Sequence, residues 1–116
     1  MSLERIYKAL VSLGLSEINT RVYMYLALKG PKKAENIIDN LRMSKQQIYR
    51  SLKVLQEKGV VFADIENSGV FSALLFEKAL YLLIETEKEK TKILQEAKRS
   101  LLLDWKTTIR KNRKNC

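Results

Sequence analysis

From Phe76 to the end of the chain there is no glycine and no proline, and the run is dense in Leu, Glu, Lys and Ala. With both helix breakers absent and the strongest helix formers in place, this composition predicts one long helix from Phe76 to near Arg110. At 1.5 Å per residue such a helix is about 50 Å long. Its apolar residues fall into two separate patches. Phe76, Ala79, Leu80, Leu83 and Ile84 are placed to pack on what precedes them, whereas "ETEKEKTK" offers no apolar face. Beyond it Leu94, Ala97, Leu101 and Trp105 recur at spacings of three and four, joined by Ile93, Leu102 and Ile109. A narrow apolar stripe of this kind suits a coiled-coil seam. Residues 76–116 are therefore expected to form a dimerisation helix with a basic tail, leaving residues 1–75 to form one small domain.

Within that domain the end signals are clear. Leu3, Ile6, Tyr7 and Leu10 share a helical face up to Gly14, and Ser16 is an N-cap for a second helix that must stop at Gly30-Pro31. A short segment follows with Ala34, Ile37, Ile38 and Leu41 on one side. Next comes "SKQQIYRSLKVLQEKG", in which Ser44 and Gln47 have the spacing of a capping box and Gly59 is the stop. Then "VVFADI" and "VFSAL", rich in branched and aromatic residues, flank "ENSG", a β-hairpin pattern. The fold class expected is mainly α with a small β-hairpin wing, a winged helix-turn-helix followed by a long C-terminal helix.

Chemistry is narrowed by what the chain lacks. It has no histidine, and its one cysteine is Cys116, so no zinc site, Cys/His nucleophile or internal disulfide can be built, and no cofactor or enzymatic activity is expected. The formal net charge is +9, which favours polyanionic partners. The opening residues interleave Glu4, Arg5 and Lys8 with apolar ones, unlike a signal peptide or a spanning helix, so a cytoplasmic protein without a membrane partner is expected.

The stretch "LGLSEINTRVYMYLALKGPKKAENIIDNLRMSKQQIYRSLKVLQEKGVV" resembles the amino-terminal domain of the TrmB-like archaeal transcription regulators. The features that carry the resemblance are Leu13, Gly14, Leu15, Ser16, Tyr25, Leu26, Gly30, Pro31, Tyr49, Leu52, Leu55, Glu57, Lys58 and Gly59. It spans about residues 10 to 85 and implies sequence-specific binding of double-stranded DNA, often as a dimer. There are three departures. Relatives usually continue into a large sugar-binding domain, so no effector is implied for this chain. Wings in relatives often carry Arg or Lys, whereas this one has Asp64 and Glu66 and no cation. Lys33 and Arg42 stand where relatives place Ser or Thr before the second motif helix and Gly in the turn.

A helix entering the major groove needs a packed inner face and an outer face of long polar side chains. Set as a helix, residues 44–58 place Ile48, Leu52 and Leu55 on one side and Gln46, Arg50, Lys53 and Glu57 on the other. Gln46 and Gln47 can offer paired donor and acceptor groups to adenine, and Arg50 can fork onto guanine. Lys32, Lys33, Arg42, Ser44, Lys45, Tyr49 and Lys53 are candidate phosphate contacts. The candidate homodimer interface is Ile93, Leu94, Ala97, Leu101, Leu102 and Trp105. Two other functions remain open on residues alone. One is a protein-interaction module, favoured by the acidic wing; the other is unselective DNA or RNA binding of a chromatin type, in which charge matters and the glutamines do not.

Overall fold

A computed structural model describes residues 2–114. Five helices and three short strands follow one another as α1 (Ser2–Ser12), α2 (Glu17–Lys29), β1 (Lys32–Lys33), α3 (Ala34–Leu41), α4 (Lys45–Glu57), β2 (Val61–Ala63), β3 (Val70–Ala73) and α5 (Phe76–Lys114). Local signals account for most of the boundaries. Ser16 accepts the Asn19 amide at 3.0 Å to start α2, and the amide of Gly30, at φ 87°, closes its end on the Leu26 carbonyl. Gly59, at φ 79°, lies just past α4, a left-handed conformation that a side chain would strain.

The strands form one antiparallel sheet in the order β1-β3-β2. Ala63 and Lys32 both lie opposite Phe71, on either side of β3. The sequence pattern predicts only the hairpin; β1 is an addition. Two lysines carry no apolar alternation, and the pairing arises because the free edge of β3 supplies partners for their backbone groups.

The chain divides into two compact units, one ending at Ile84 and the next starting at Glu85. In the first, each helix contributes to a single core. Leu10, Val22, Ile37, Ile48, Leu55 and Val60 are completely buried, and Ala79 and Leu83 join them from the start of α5. The first turns of α5 thus complete the core of the first unit. Tyr23, 1% exposed, donates its hydroxyl hydrogen to the Leu74 carbonyl at 2.7 Å, tying α2 to the segment that leads into α5. That burial pushes the phenol up to about 12 from its ordinary 10.0.

In the second unit α5 continues to Lys114, past the expected end near Arg110. Cations in a last helical turn face the negative end of the macrodipole, so the basic segment extends the helix instead of fraying from it. Among the described residues no helix is long and apolar enough to cross a membrane.

Candidate nucleic-acid interface

Helix α4 is held by one face. Ile48 and Leu55 are completely buried and Leu52 is 1% exposed, while Gln46, Arg50, Lys53 and Glu57 are exposed on the other side. At about 2 to 3 kcal/mol for each large aliphatic side chain removed from water, the inner face fixes the orientation of the outer one. Its N-terminus carries the full capping box. The Ser44 hydroxyl accepts the Gln47 amide at 3.1 Å, and Gln47 Oε1 accepts the Ser44 amide at 3.0 Å.

That second bond constrains Gln47. Reading adenine with a glutamine requires its oxygen and its NH2 together. With Oε1 held on the Ser44 amide, the cap fixes how the Gln47 side chain points, so a two-point approach to adenine competes with the cap. It lines a shallow depression with Arg50, Ser51 and Val54 from α4 and Ser16, Ile18 and Asn19 from the start of α2. Gln46 has no such engagement among the described residues. Tyr49 is 46% exposed, and the Lys45 ammonium stands 5.9 Å from the centre of its ring, so the two flank the outer face as a pair.

The turn before α4 depends on Arg42. It adopts φ 53° and ψ 47°, the left-handed conformation relatives obtain with glycine, and its amide closes α3 on the Ile38 carbonyl. The Arg42 side chain is exposed. Arg21 of α2 fastens the same turn by donating from Nη2 to the Leu41 carbonyl at 3.3 Å. No sequence pattern pointed to Arg21, because its partner is twenty residues away.

Lys33 is the N-cap of α3 and makes no side-chain cap. Its backbone pairs with β3 within β1, and the first amide of α3, that of Ala34, donates to the Gly69 carbonyl at 3.4 Å. Lys32 lines a different depression, with Tyr25, Lys29, Asn36 and Asn40.

The wing is acidic for a structural reason. Asp64 Oδ1 accepts the amides of Glu66 at 2.9 Å and Asn67 at 3.2 Å, and Oδ2 accepts the Asn67 side-chain amide at 3.3 Å. The Asn67 amide, then the Glu66 amide and the Asn67 side chain, hold the carboxyl below the usual carboxylate range. Asp64 therefore builds the hairpin turn, a role its sequence reading as a mere wing anion missed. Beside it Ile65 is 99% exposed.

In the second unit the proposed interface residues are uncovered: Ile93 is 54% exposed, Leu94 61%, Leu101 53%, Leu102 51% and Trp105 61%, with Ala97 half-buried. Leu94, Leu101 and Leu102 border one depression with Thr91, Gln95 and Lys98.

This architecture has solved counterparts. TrmBL2, an archaeal chromatin protein with a novel mode of DNA binding, matches at 20% identity and a TM-score of 0.75 over 90% of this chain, which spans 40% of TrmBL2. A "possible transcriptional regulator" from Methanosarcina mazei Go1 matches at 16% identity and a TM-score of 0.59, covering 85% of this chain and 88% of that one. The MarR family regulator NMB1585 from Neisseria meningitidis matches at 17% identity and a TM-score of 0.52, with 97% and 87% covered. At these identities the likeness concerns the fold, a winged helix. No curated protein sequence matches the chain. The family model described as sugar-specific transcriptional regulator TrmB matches residues 10–87, which takes in α2 to β3 and the first turns of α5. With most of its length inside that match, the chain belongs to the TrmB family of transcription regulators.

Proposed function

We propose that the protein is a homodimeric, sequence-specific regulator that sets α4 in the major groove of double-stranded DNA. The observation that carries this reading is the division of α4 into a locked inner face and an exposed outer face bearing Gln46, Arg50 and Lys53. Gln46 and Arg50 read base edges, with Gln47 a weaker reader because its side chain is engaged in the cap. Lys45 with Tyr49, Lys53, Ser44, Arg42, Lys32 and Lys33 meet phosphates on either side. The uncovered stripe of Leu94, Ala97, Leu101 and Trp105 pairs with its copy, which presents two α4 helices to half-sites about one DNA turn apart, near 34 Å. No effector and no catalytic step belong to the proposal.

Selection from random duplex DNA, repeated at two salt concentrations, tests it. Recovery of a palindrome is the expected result, and retention without sequence preference refutes base reading. Within the recovered site, Arg50→Ala should lose about 1 to 3 kcal/mol at one base position, whereas Lys53→Ala should weaken all sequences alike. The acidic wing and the bare Ile65 favour protein docking over phosphate contact for the hairpin alone, and a chain that retains no duplex at either salt concentration would extend that reading to the whole domain.

A further inference from the structure

The positive charge is not concentrated where the recognition helix lies. Residues 92–114 hold eight cations and two carboxylates, six of the nine net charges of the chain. Their arrangement is ordered. At 100° per residue, Lys92, Arg99, Lys106, Arg110 and Arg113 fall within an arc of about 60°, centred roughly 150° around the helix from the Leu94–Trp105 stripe. All five are exposed. The ion pairs among the described residues are Lys8 with Glu4, Lys88 with Glu85 and Lys90 with Glu87, and none includes a member of this row. Lys106, Arg110, Arg113 and Lys114 line one shallow depression with Ile109.

The helix itself does not require such a row. The macrodipole accounts for cations in the last turn, Lys111, Arg113 and Lys114, and its influence is gone by Arg99 and Lys92. Like charges at spacings of three and four, as in Lys106, Arg110 and Arg113, cost the helix a few tenths of a kcal/mol each. A polyanion lying along the ridge would reverse that cost.

We propose that this ridge of α5 is a second, sequence-independent binding site for double-stranded DNA. From Lys92 to Arg113 it extends about 32 Å, close to one turn of the duplex, over which the phosphates present a charge about every 1.7 Å. Because the ridge and the apolar stripe occupy different sides of α5, pairing through the stripe leaves a ridge outward on each copy. A dimer can then hold one duplex on its α4 helices and a second on its ridges. An anionic membrane is the competing polyanion, and the chain's place in a family of transcription regulators favours DNA over lipid. The inference does not rest on base reading by α4, since the ridge binds duplex whether or not α4 selects a sequence.

The test uses the full chain and a random-sequence duplex. A variant carrying Arg99→Gln, Lys106→Gln, Arg110→Gln and Arg113→Gln keeps good helix formers, checked by circular dichroism, while Arg50→Ala with Lys53→Ala alters α4 alone. Neutralising four phosphate contacts should flatten the dependence of log K on log salt by about 3.6 and weaken random-duplex binding at least a hundred-fold at low salt. The wild type should also capture a free labelled duplex onto bead-bound duplex, and the ridge variant should lose that capture. Restoring charge with Arg99→Lys, Lys106→Arg, Arg110→Lys and Arg113→Lys should restore both. An unchanged salt slope in the glutamine variant overturns the proposal. So does loss of binding to phosphatidylserine vesicles without loss of duplex binding. If the α4 variant alone changes sequence preference, recognition by α4 stands irrespective of the ridge; if it changes nothing, α4 recognition fails while the ridge is judged on its own slope.

Discussion

Arg42 sits at the point where conformational strain and charge coincide, so two substitutions there separate them. Its φ of 53° brings its Cβ against a backbone carbonyl, which costs a non-glycine residue about 1 to 2 kcal/mol. Arg42→Gly removes that strain but gives the unfolded chain more freedom, worth about 0.4 to 1 kcal/mol in the other direction. The net expectation is a stabilisation of about 0.5 to 1 kcal/mol. For a unit of this size the unfolding entropy is near 180 cal/mol/K, so the transition should rise by about 3 to 6 °C in scanning calorimetry. Arg42→Ala keeps the Cβ and the strain and should not share the gain. Both variants lose the guanidinium, and if it meets a phosphate each should flatten the salt dependence of duplex binding by about 0.9 per chain. The glycine variant thus becomes the more stable protein and the weaker binder. Equal melting of the glycine and alanine variants would refute the strain argument, and unaltered salt slopes in both would remove Arg42 from the interface.

Tyr23 predicts a loss of stability at high pH. Its folded pKa of about 12 lies above its ordinary 10.0, so the neutral phenol is favoured by folding and its stabilisation is complete below pH 10.0, then is lost as pH climbs to about 12. At about 1.36 kcal/mol per pH unit this amounts to roughly 3 kcal/mol. In denaturant titrations Tyr23→Phe should start about 1 kcal/mol less stable, with the Leu74 carbonyl unpaired, and lose less as the pH rises; parallel losses in both proteins would contradict the assignment. Gln47→Ala should lower stability by about 0.5 to 1.5 kcal/mol and alter the selected DNA sequence less than Gln46→Ala, which should keep stability and cost about 1 to 3 kcal/mol at one base pair. The reverse pattern in calorimetry and sequence selection would exchange their roles. Leu101→Glu places a charge in the apolar stripe and should turn a sedimenting dimer into a monomer at tens of micromolar with helix content unchanged; a monomeric wild type at that concentration would eliminate the proposed pairing.

What the sequence disclosed about the fold was what neighbouring residues decide. Ser16, Ser44 with Gln47, Gly30 and Gly59 mark helix ends through bonds that span three or four residues, and the long helix follows from the absence of breakers after Phe76. What it hid depends on partners far along the chain. The Tyr23 hydroxyl meets Leu74 across fifty-one residues, and β1 exists only because β3 offers it an edge. Asp64 was hidden differently: a carboxylate in a loop reads as charge, and its work as a turn builder emerges only when three donors converge on it. For the site, the residues of α4 were legible as two faces, but the face pattern could not resolve one conflict within it. Gln47 satisfies both the capping-box spacing and the polar-face pattern, and spacing alone does not disclose that its oxygen is directed at the Ser44 amide.

The charge map of the first unit gives the acidic wing a place in this scheme. Residues 32–58 carry seven cations and three carboxylates, whereas residues 59–84 carry Lys78 against Asp64, Glu66 and Glu77. Lys32 and Lys33 nevertheless stand beside the hairpin, because β1 pairs with β3, so the positive charge proper to the motif lies on α4 and the turn before it. In the proposed complex, repulsion between the phosphates and Asp64 and Glu66 would disfavour approaches that set the hairpin loop on DNA. A wing rich in arginine would add affinity for every sequence equally, whereas an acidic wing would lower unselective binding by the first unit and, if α4 reads bases as proposed, leave discrimination to that helix. If the second unit also binds duplex as proposed, restraint of that kind in the first unit would keep the proposed sequence reading from being submerged in general attraction to DNA.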